Sequence, residues 1–378
     1  MLYIHIPYCS QKCIYCDFFS GTRPDWEKFI SSLRNEIYTR FAELHTNSLS
    51  SIYIGGGTPS LIPIPFLHSI FDTIKEVLPL YDKKISDNPE ITFEVNPEDV
   101  TEDLAIAWKE VGINRISMGI QTLVDAELHL LNRRHTAQKA LDALEILKRH
   151  YNNISVDIIY GIPEQTIESL DDTLKKILKF KPNHISAYAL TYEKGTVMEA
   201  LRNMQRFEEV SEEIYLNMDD FINQKLKDNG FERYEISNYS LPGYKSRHNT
   251  GYWEGKEYLG CGPSASSFDG KSVRRKNPNN LKKYIEYWSR NDNRRKLYQE
   301  EFLTKEERII ETIFTSLRRK EGLDLEDFAN TYGKEESEKL KSAAGKWIKS
   351  GDIIYDGKHL ELTSSGIKIS DFIISNLI

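Results

Sequence analysis

Five times within the first 190 residues, a short apolar or β-branched run gives way to a loop of glycines and polar residues, then to a longer segment of helical spacing, and a sixth such run closes the series. The runs are Leu2–Ile6, Ser51–Ile54, Glu90–Val95, Arg115–Met118, Ser155–Ile159 and His184–Tyr188. Helical candidates between them are Trp26–Leu44, Pro65–Leu78, Thr101–Val111, Thr136–Arg149 and Thr166–Lys179. Strand and helix alternating in this order imply an α/β fold of parallel strands with right-handed crossovers. Six units suit a partial (β/α)6 barrel better than a complete eight-unit one.

Such a fold gathers its chemistry at the C-terminal ends of the strands, and every run here ends in polar or glycine-rich residues. The first leads to Cys9-Ser-Gln-Lys-Cys13-Ile-Tyr-Cys16, which holds three of the four cysteines. The second leads to Gly55-Gly56-Gly57-Thr58-Pro59, the third ends Glu94-Val95-Asn96-Pro97, and the fourth reaches Gly119-Ile120-Gln121. Asp157 lies inside the fifth, and the sixth ends near Thr191. Glycine lets backbone amides approach a ligand closely, or simply makes a tight turn. Glu94 and Asp157 sit in otherwise apolar runs, where an unpaired charge is costly, so each implies a ligand or a salt bridge.

Iron–sulfur clusters normally take four thiolates, so three closely spaced cysteines predict a four-iron cluster with one iron open to an outside ligand. A structural zinc site would want a fourth ligand from a partner pair that the chain lacks, and a disulfide would need oxidising surroundings. The spacing C-x3-C-x2-C resembles the signature of the radical S-adenosylmethionine (SAM) enzymes, in which SAM occupies the open iron.

With 378 residues the chain is long enough for two or three domains. Its 50 basic against 57 acidic residues, a net charge of -7, argue against a general nucleic-acid-binding surface. No apolar run approaches the roughly 20 residues that cross a bilayer, and the cysteines come too early for a cleavable signal peptide. A soluble cytoplasmic protein, not an integral membrane protein, is expected.

Beyond the cysteines, Tyr3-Ile4-His5-Ile6-Pro7-Tyr8-Cys9, the Gly55–Pro59 turn, Ser117-Met118-Gly119-Ile120-Gln121, Asn132-Arg133 and Asp157-Ile158-Ile159-Tyr160-Gly161-Ile162-Pro163 resemble the oxygen-independent coproporphyrinogen III oxidase family. That resemblance implies SAM contacts at Tyr3, Gly56, Gly57, Thr58, Glu94, Gln121, Arg133 and Asp157, with Thr191 and Ser266 as weaker matches. Two features depart from the oxidases. Cys16 is followed by Asp17-Phe18 where they carry a further cysteine, and their longer N-terminal segment is missing. Cys-Asp-Phe resembles instead the HemW group, which keeps the cluster and SAM but whose implied function is to bind haem and pass it to acceptor proteins, acceptors at a membrane being one option. Radical decarboxylation of porphyrinogen propionates is the alternative.

Ser246-Arg247-His248-Asn249-Thr250-Gly251-Tyr252-Trp253 contains an H-N-x-x-Y-W sequence that resembles the haem motif of that group. Haem contacts are therefore expected at His248, Asn249, Tyr252 and Trp253: histidine can ligate iron, and the aromatics offer flat faces to a porphyrin. Arg274-Arg275-Lys276 could meet haem propionates or form a solvated basic loop. Cys261 reads as a small buried hydrophobe. The expected organisation is a radical SAM partial barrel over 1–190, an extension with the haem motif over 191–298, and a winged-helix-like module over 299–378. In the last, Thr304 and Asp324 cap helices Lys305–Arg318 and Leu325–Tyr332, Glu335–Ser350 forms a third, and strands Ile353–Tyr355 and Leu360–Leu362 flank an Asp-Gly turn. This module is expected to dock on or cover the site.

Overall fold

The computed structural model describes residues 1–290 and 297–378; residues 291–296, in the expected extension, lie outside the described residues. Six strands lie side by side in chain order, all parallel: β1 (Leu2–Ile6), β2 (Ser48–Gly56), β3 (Lys84–Val95), β4 (Arg115–Gln121), β5 (Ile154–Tyr160) and β6 (His184–Ala189). The crossovers carry α1 (Trp26–Arg40), α2 (Ile64–Val77), α3 (Glu102–Val111), α4 (Asp125–Leu130) and α5 (Ala137–His150), and α6 (Ile167–Lys179). Thr101, Thr136 and Thr166 accept backbone amides at the starts of α3, α5 and α6, caps worth about 1 kcal/mol each.

Strand β4 shows how the sequence positions the site. Ile116, Met118 and Ile120 are fully buried on one face, whereas Arg115, Ser117, Gly119 and Gln121 line the cavity on the other. The two-residue period of a strand produces this division. Because register carries it across the sheet, Glu94 lies beside Ser117, Gly119 beside Asp157, and Asp157 beside Ser186. Outside, Phe93 packs on Trp108 of α3, with ring centroids 5.4 Å apart.

The expected helix over 26–44 ends at Arg40 and tightens into a single 3-10 turn, Phe41–Glu43. That turn returns Glu43 to the buried Arg40 guanidinium, 3.0 Å away. The middle segment forms α7 (Val197–Asn203), α8 (Glu212–Asp228), β7 (Glu232–Arg233), β8 (Asn238–Ser240), α9 (Arg247–Trp253), β9 (Leu259–Cys261), β10 (Ser266–Phe268), β11 (Val273–Lys276) and α10 (Leu281–Trp288). It finishes both sides of the barrel sheet: β9 runs parallel to β1, and β8 pairs antiparallel with β6. Each covers backbone groups that would otherwise form an open edge.

β12 (Gln299–Phe302) joins β10 and β11 in a small sheet. Next come α11 (Lys305–Leu317), β13 (Leu323–Asp324), α12 (Leu325–Tyr332), α13 (Lys334–Ser350), β14 (Ile353–Tyr355), β15 (His359–Leu362), α14 (Ser364–Lys368) and α15 (Ser370–Ser375). Thr304 and Asp324 cap α11 and α12 as expected. β13 adds a third strand to the hairpin. This module has its own core around Leu317, Phe328, Leu340, Leu360 and Ile373, and docks on the middle segment through the Lys320 amide, which donates to Tyr234 O over 3.0 Å.

Candidate functional site

The strand ends open into a cavity of about 800 Å³. Cys9, Cys13 and Cys16 line it together with Tyr3, Gly56, Gly57, Thr58, Glu94, Gln121, Arg133 and Asp157, residues that span more than 150 positions of sequence. Thr191 is also there, but Ser266 is not; it lies at the start of β10, in a neighbouring cavity.

Hydrogen bonds hold the cysteine loop from several sides. The Cys9 amide donates to Gly21 O over 2.9 Å, and the Met198 amide at the start of α7 donates to Ile14 O over 2.9 Å. Asn132 donates to Lys12 O over 3.0 Å and accepts from Gln11 over 2.8 Å. Arg133 places one guanidinium nitrogen 3.4 Å from Cys13 Sγ, while the other donates to Asn96 Oδ1 and Gly119 O, each over 2.8 Å. All three thiols are half-buried and unbridged, and burial pushes the Cys16 thiol up to about 11. Cys261 is fully buried in β9, a core residue as the sequence suggests.

The glycine turn is tight for reasons inside the protein. A Cβ on Gly55 would fall 2.8 Å from the Glu94 carboxylate, and one on Gly57 would fall 2.5 Å from Tyr8 O. At Gly56, φ is +108° and a Cβ would meet the His5 ring at 2.5 Å, so an L side chain would both strain the backbone and collide. The Gly56 amide donates to Glu94 Oε2 over 3.0 Å, and the Tyr53 hydroxyl to Glu94 Oε1 over 2.7 Å. Burial pushes Glu94 up to about 7 despite the Tyr53 hydrogen bond, and Asp157 adds to the rise. Asp157 is raised too, by burial first, although Ser117 donates to it over 3.1 Å. Both carboxyls are poised to gain from a cationic ligand.

The sequence assigned no site role to Tyr53 or Arg115, and quoted Asn96 and Ser117 only within longer motifs, yet all four line this cavity. The signal for Arg115 and Ser117 was the alternation along β4, where each polar residue falls on the inward face. Nε of Arg115 and of Arg133 are buried with no partner among the described residues.

The H-N-x-x-Y-W residues form α9, clamped to the sheet at its start. The Glu90 carboxylate accepts the Arg247 and His248 amides, each over 2.9 Å. His248 Nδ1 lies 2.8 Å from Ser51 Oγ, and Nε2 lies 2.9 Å from the Tyr252 hydroxyl. Both ring nitrogens are thus engaged within the protein. Burial, aided by the nearby N-terminal ammonium, holds His248 down to about 3, a neutral imidazole. Trp253 does not reach the barrel mouth. With Asn249 and Tyr252 it lines a second cavity of about 880 Å³, bounded also by Tyr258, Phe268 and α11. Tyr3, Asp17, Phe18, Asn249 and Tyr252 face both cavities.

Three cysteines from one loop at the mouth of a parallel partial barrel define the class: residues 3–177 match the Radical SAM superfamily, whose members carry a 4Fe-4S cluster and SAM, and residues 303–369 match the HemN C-terminal domain. Coproporphyrinogen III oxidase (HemN) from Escherichia coli superposes with a TM-score of 0.82 over 100% of this chain and 89% of that one, at 22% identity, a likeness of fold. Within the class, the chain belongs to the HemW haem-chaperone family. It is 33% identical to "Heme chaperone HemW" of Lactococcus lactis, covering 98% of this chain and 94% of the relative. Against the protein of the same name from Bacillus subtilis it is 32% identical, covering 88% and 86%.

The residues fit the superfamily's cofactors. Three cysteines line one cavity, the fourth is buried elsewhere, and the carboxyls of Glu94 and Asp157 and the guanidiniums of Arg115 and Arg133 are among the groups that border the same space. No helix among the described residues is long and apolar enough to cross a membrane.

Proposed function

We propose that this chain binds haem in the second cavity and passes it to acceptor haemoproteins, on a scaffold that holds a 4Fe-4S cluster at Cys9, Cys13 and Cys16 and SAM along the inward face of the barrel. The observation that carries this reading is the position of α9: its Tyr252 and Trp253, with Tyr258 and Phe268, give the second cavity the aromatic wall a porphyrin needs. His248 contributes by fixing Tyr252, since both of its ring nitrogens already have partners. His248 itself lines the barrel cavity and not the second one, so ligation of haem iron there would require both the loss of one of these bonds and a reorientation of the ring. In the barrel mouth, Glu94 and Asp157 hold the cationic groups of SAM, the Gly56 amide keeps Glu94 aimed, and Arg133 steadies the Cys13 loop. When bound there, the cluster and SAM together supply one-electron chemistry.

Haem titration of the anaerobically reconstituted protein tests the reading. A saturable Soret change is expected, weakened by Trp253→Ala and by His248→Ala at unchanged iron and sulfide content. Cys9→Ala, Cys13→Ala or Cys16→Ala should abolish the four-iron cluster, and Cys261→Ala should retain it. Haem should transfer to an apo-acceptor while coproporphyrinogen remains unconverted. Sustained carbon dioxide release from coproporphyrinogen, without saturable haem binding, would make the oxidase reading the correct one.

A further inference from the structure

We infer that the second cavity selects a flat ligand bearing carboxylates, and that β11 and the C-terminal module together supply the cations that read them. The inference deepens the haem proposal and rests on it. One wall, from α9, is aromatic. Others, from the β10–β11 hairpin and α11, carry Arg274, Lys276, Arg308 and, just beyond α11, Arg319. Four cations therefore border a cavity with three carboxylates, Asp17, Glu254 and Glu311, in a chain whose net charge is -7.

The pairing of these charges is uneven. Glu311 lies between two arginines, 2.5 Å from Arg274 and 2.9 Å from Arg308. Both guanidiniums also lie over the Phe268 ring, at 5.8 and 4.8 Å from its centroid. A carboxylate seated between two guanidiniums that themselves stack on an aromatic ring is the arrangement a ligand carboxylate would adopt there. Glu311 holds that seat in the structure. The remaining cations are less engaged. Arg319 reaches Glu254 only at 3.8 Å, its buried Nε has no partner among the described residues, and Lys276 has no ion pair among them. A ligand's carboxylates thus meet two under-used cations and two more held by an exchangeable acid.

Glu311 gives the inference a consequence of opposite sign. Removing Lys276 and Arg319 takes away attraction, whereas neutralising Glu311 removes a competitor and frees two arginines. The full-length, cluster-reconstituted protein is titrated with haem and with haem dimethyl ester, which keeps the macrocycle but blocks both carboxylates. The double variant Lys276→Gln/Arg319→Gln should weaken haem binding about tenfold and ester binding less than about twofold. Glu311→Gln should tighten haem relative to ester. Cluster content and urea midpoints are measured for every variant, so that a folding defect is seen as such. Equal losses for haem and ester, no loss in the double variant, or a Glu311→Gln protein that binds haem more weakly would each overturn the inference. A wild type that binds both ligands equally well would overturn it while leaving the haem proposal standing. A wild type that binds neither would end the haem proposal, and this inference with it.

Discussion

Glu94 shows how much one residue's surroundings decide. An acid between apolar neighbours on β3 is expensive unless something answers its charge, and here Tyr53 and the Gly56 amide answer only in part. Its carboxyl, raised from 4.5 to about 7, makes the folded state bind more protons than the unfolded chain between those values. Stability of the ligand-free protein should therefore fall as pH rises through that window. Glu94→Gln, which cannot ionise, should flatten the fall, as urea midpoints from pH 4.5 to 7.5 will report; an unchanged slope would place the titration elsewhere, with Asp157 the first alternative. The same carboxyl should favour a cationic ligand more as pH rises towards 7. His248 teaches the converse. In the sequence it is a free histidine near two aromatics, a natural iron ligand, yet Ser51, 197 residues away, occupies Nδ1. No local pattern announces such a partner.

A buried polar junction ties α1 to β9, β10 and α10. Arg40 of α1, 2% exposed, donates to Glu36 at 2.9 Å, to Gly260 O of β9 at 2.9 Å and to Ser267 of β10 at 3.0 Å. Glu36, fully buried, also accepts the Gly262 amide at 2.7 Å and the Tyr284 hydroxyl at 2.6 Å. Arg40→Ala would leave Glu36 buried without its cation, a loss of about 3–5 kcal/mol, and loosen β9 and α10 from the barrel. Urea denaturation should show the drop; a change under about 1 kcal/mol would mean that water enters and substitutes for the guanidinium. The six strands and the five longer crossover helices were legible in the sequence because each is long enough to express its period, whereas the six-residue α4 was not. The three-residue β8 and β9 were not, since a period cannot be read over three residues and β9 finds β1 more than 250 positions away. The site followed the same rule. Residues on conspicuous loops, the cysteines and glycines, were legible, whereas Arg115 and Ser117 inside β4 show in the sequence only as an alternation, and the sheet's register decides that their face is the one turned to the cavity.

In the whole molecule, the C-terminal module closes the second cavity and leaves the barrel mouth alone; its residues line the former and none lines the latter. The chain therefore offers two openings, one bordered by cysteines and one by a docked module, and substitutions on α11 should alter binding in the second while sparing cluster content. Tyr3, Asp17, Phe18, Asn249 and Tyr252 border both cavities. A side chain that borders two chambers answers to the occupants of both, so the two ligands share a thermodynamic cycle. If SAM in the barrel mouth changes haem affinity by some factor, haem must change SAM affinity by that same factor. Calorimetry of each ligand with and without the other should return matching ratios different from one. Tyr252→Phe, which removes only the hydroxyl that meets His248, should draw both ratios towards one together, and ratios of one in the unaltered protein would mean that the shared residues do not couple the two chambers.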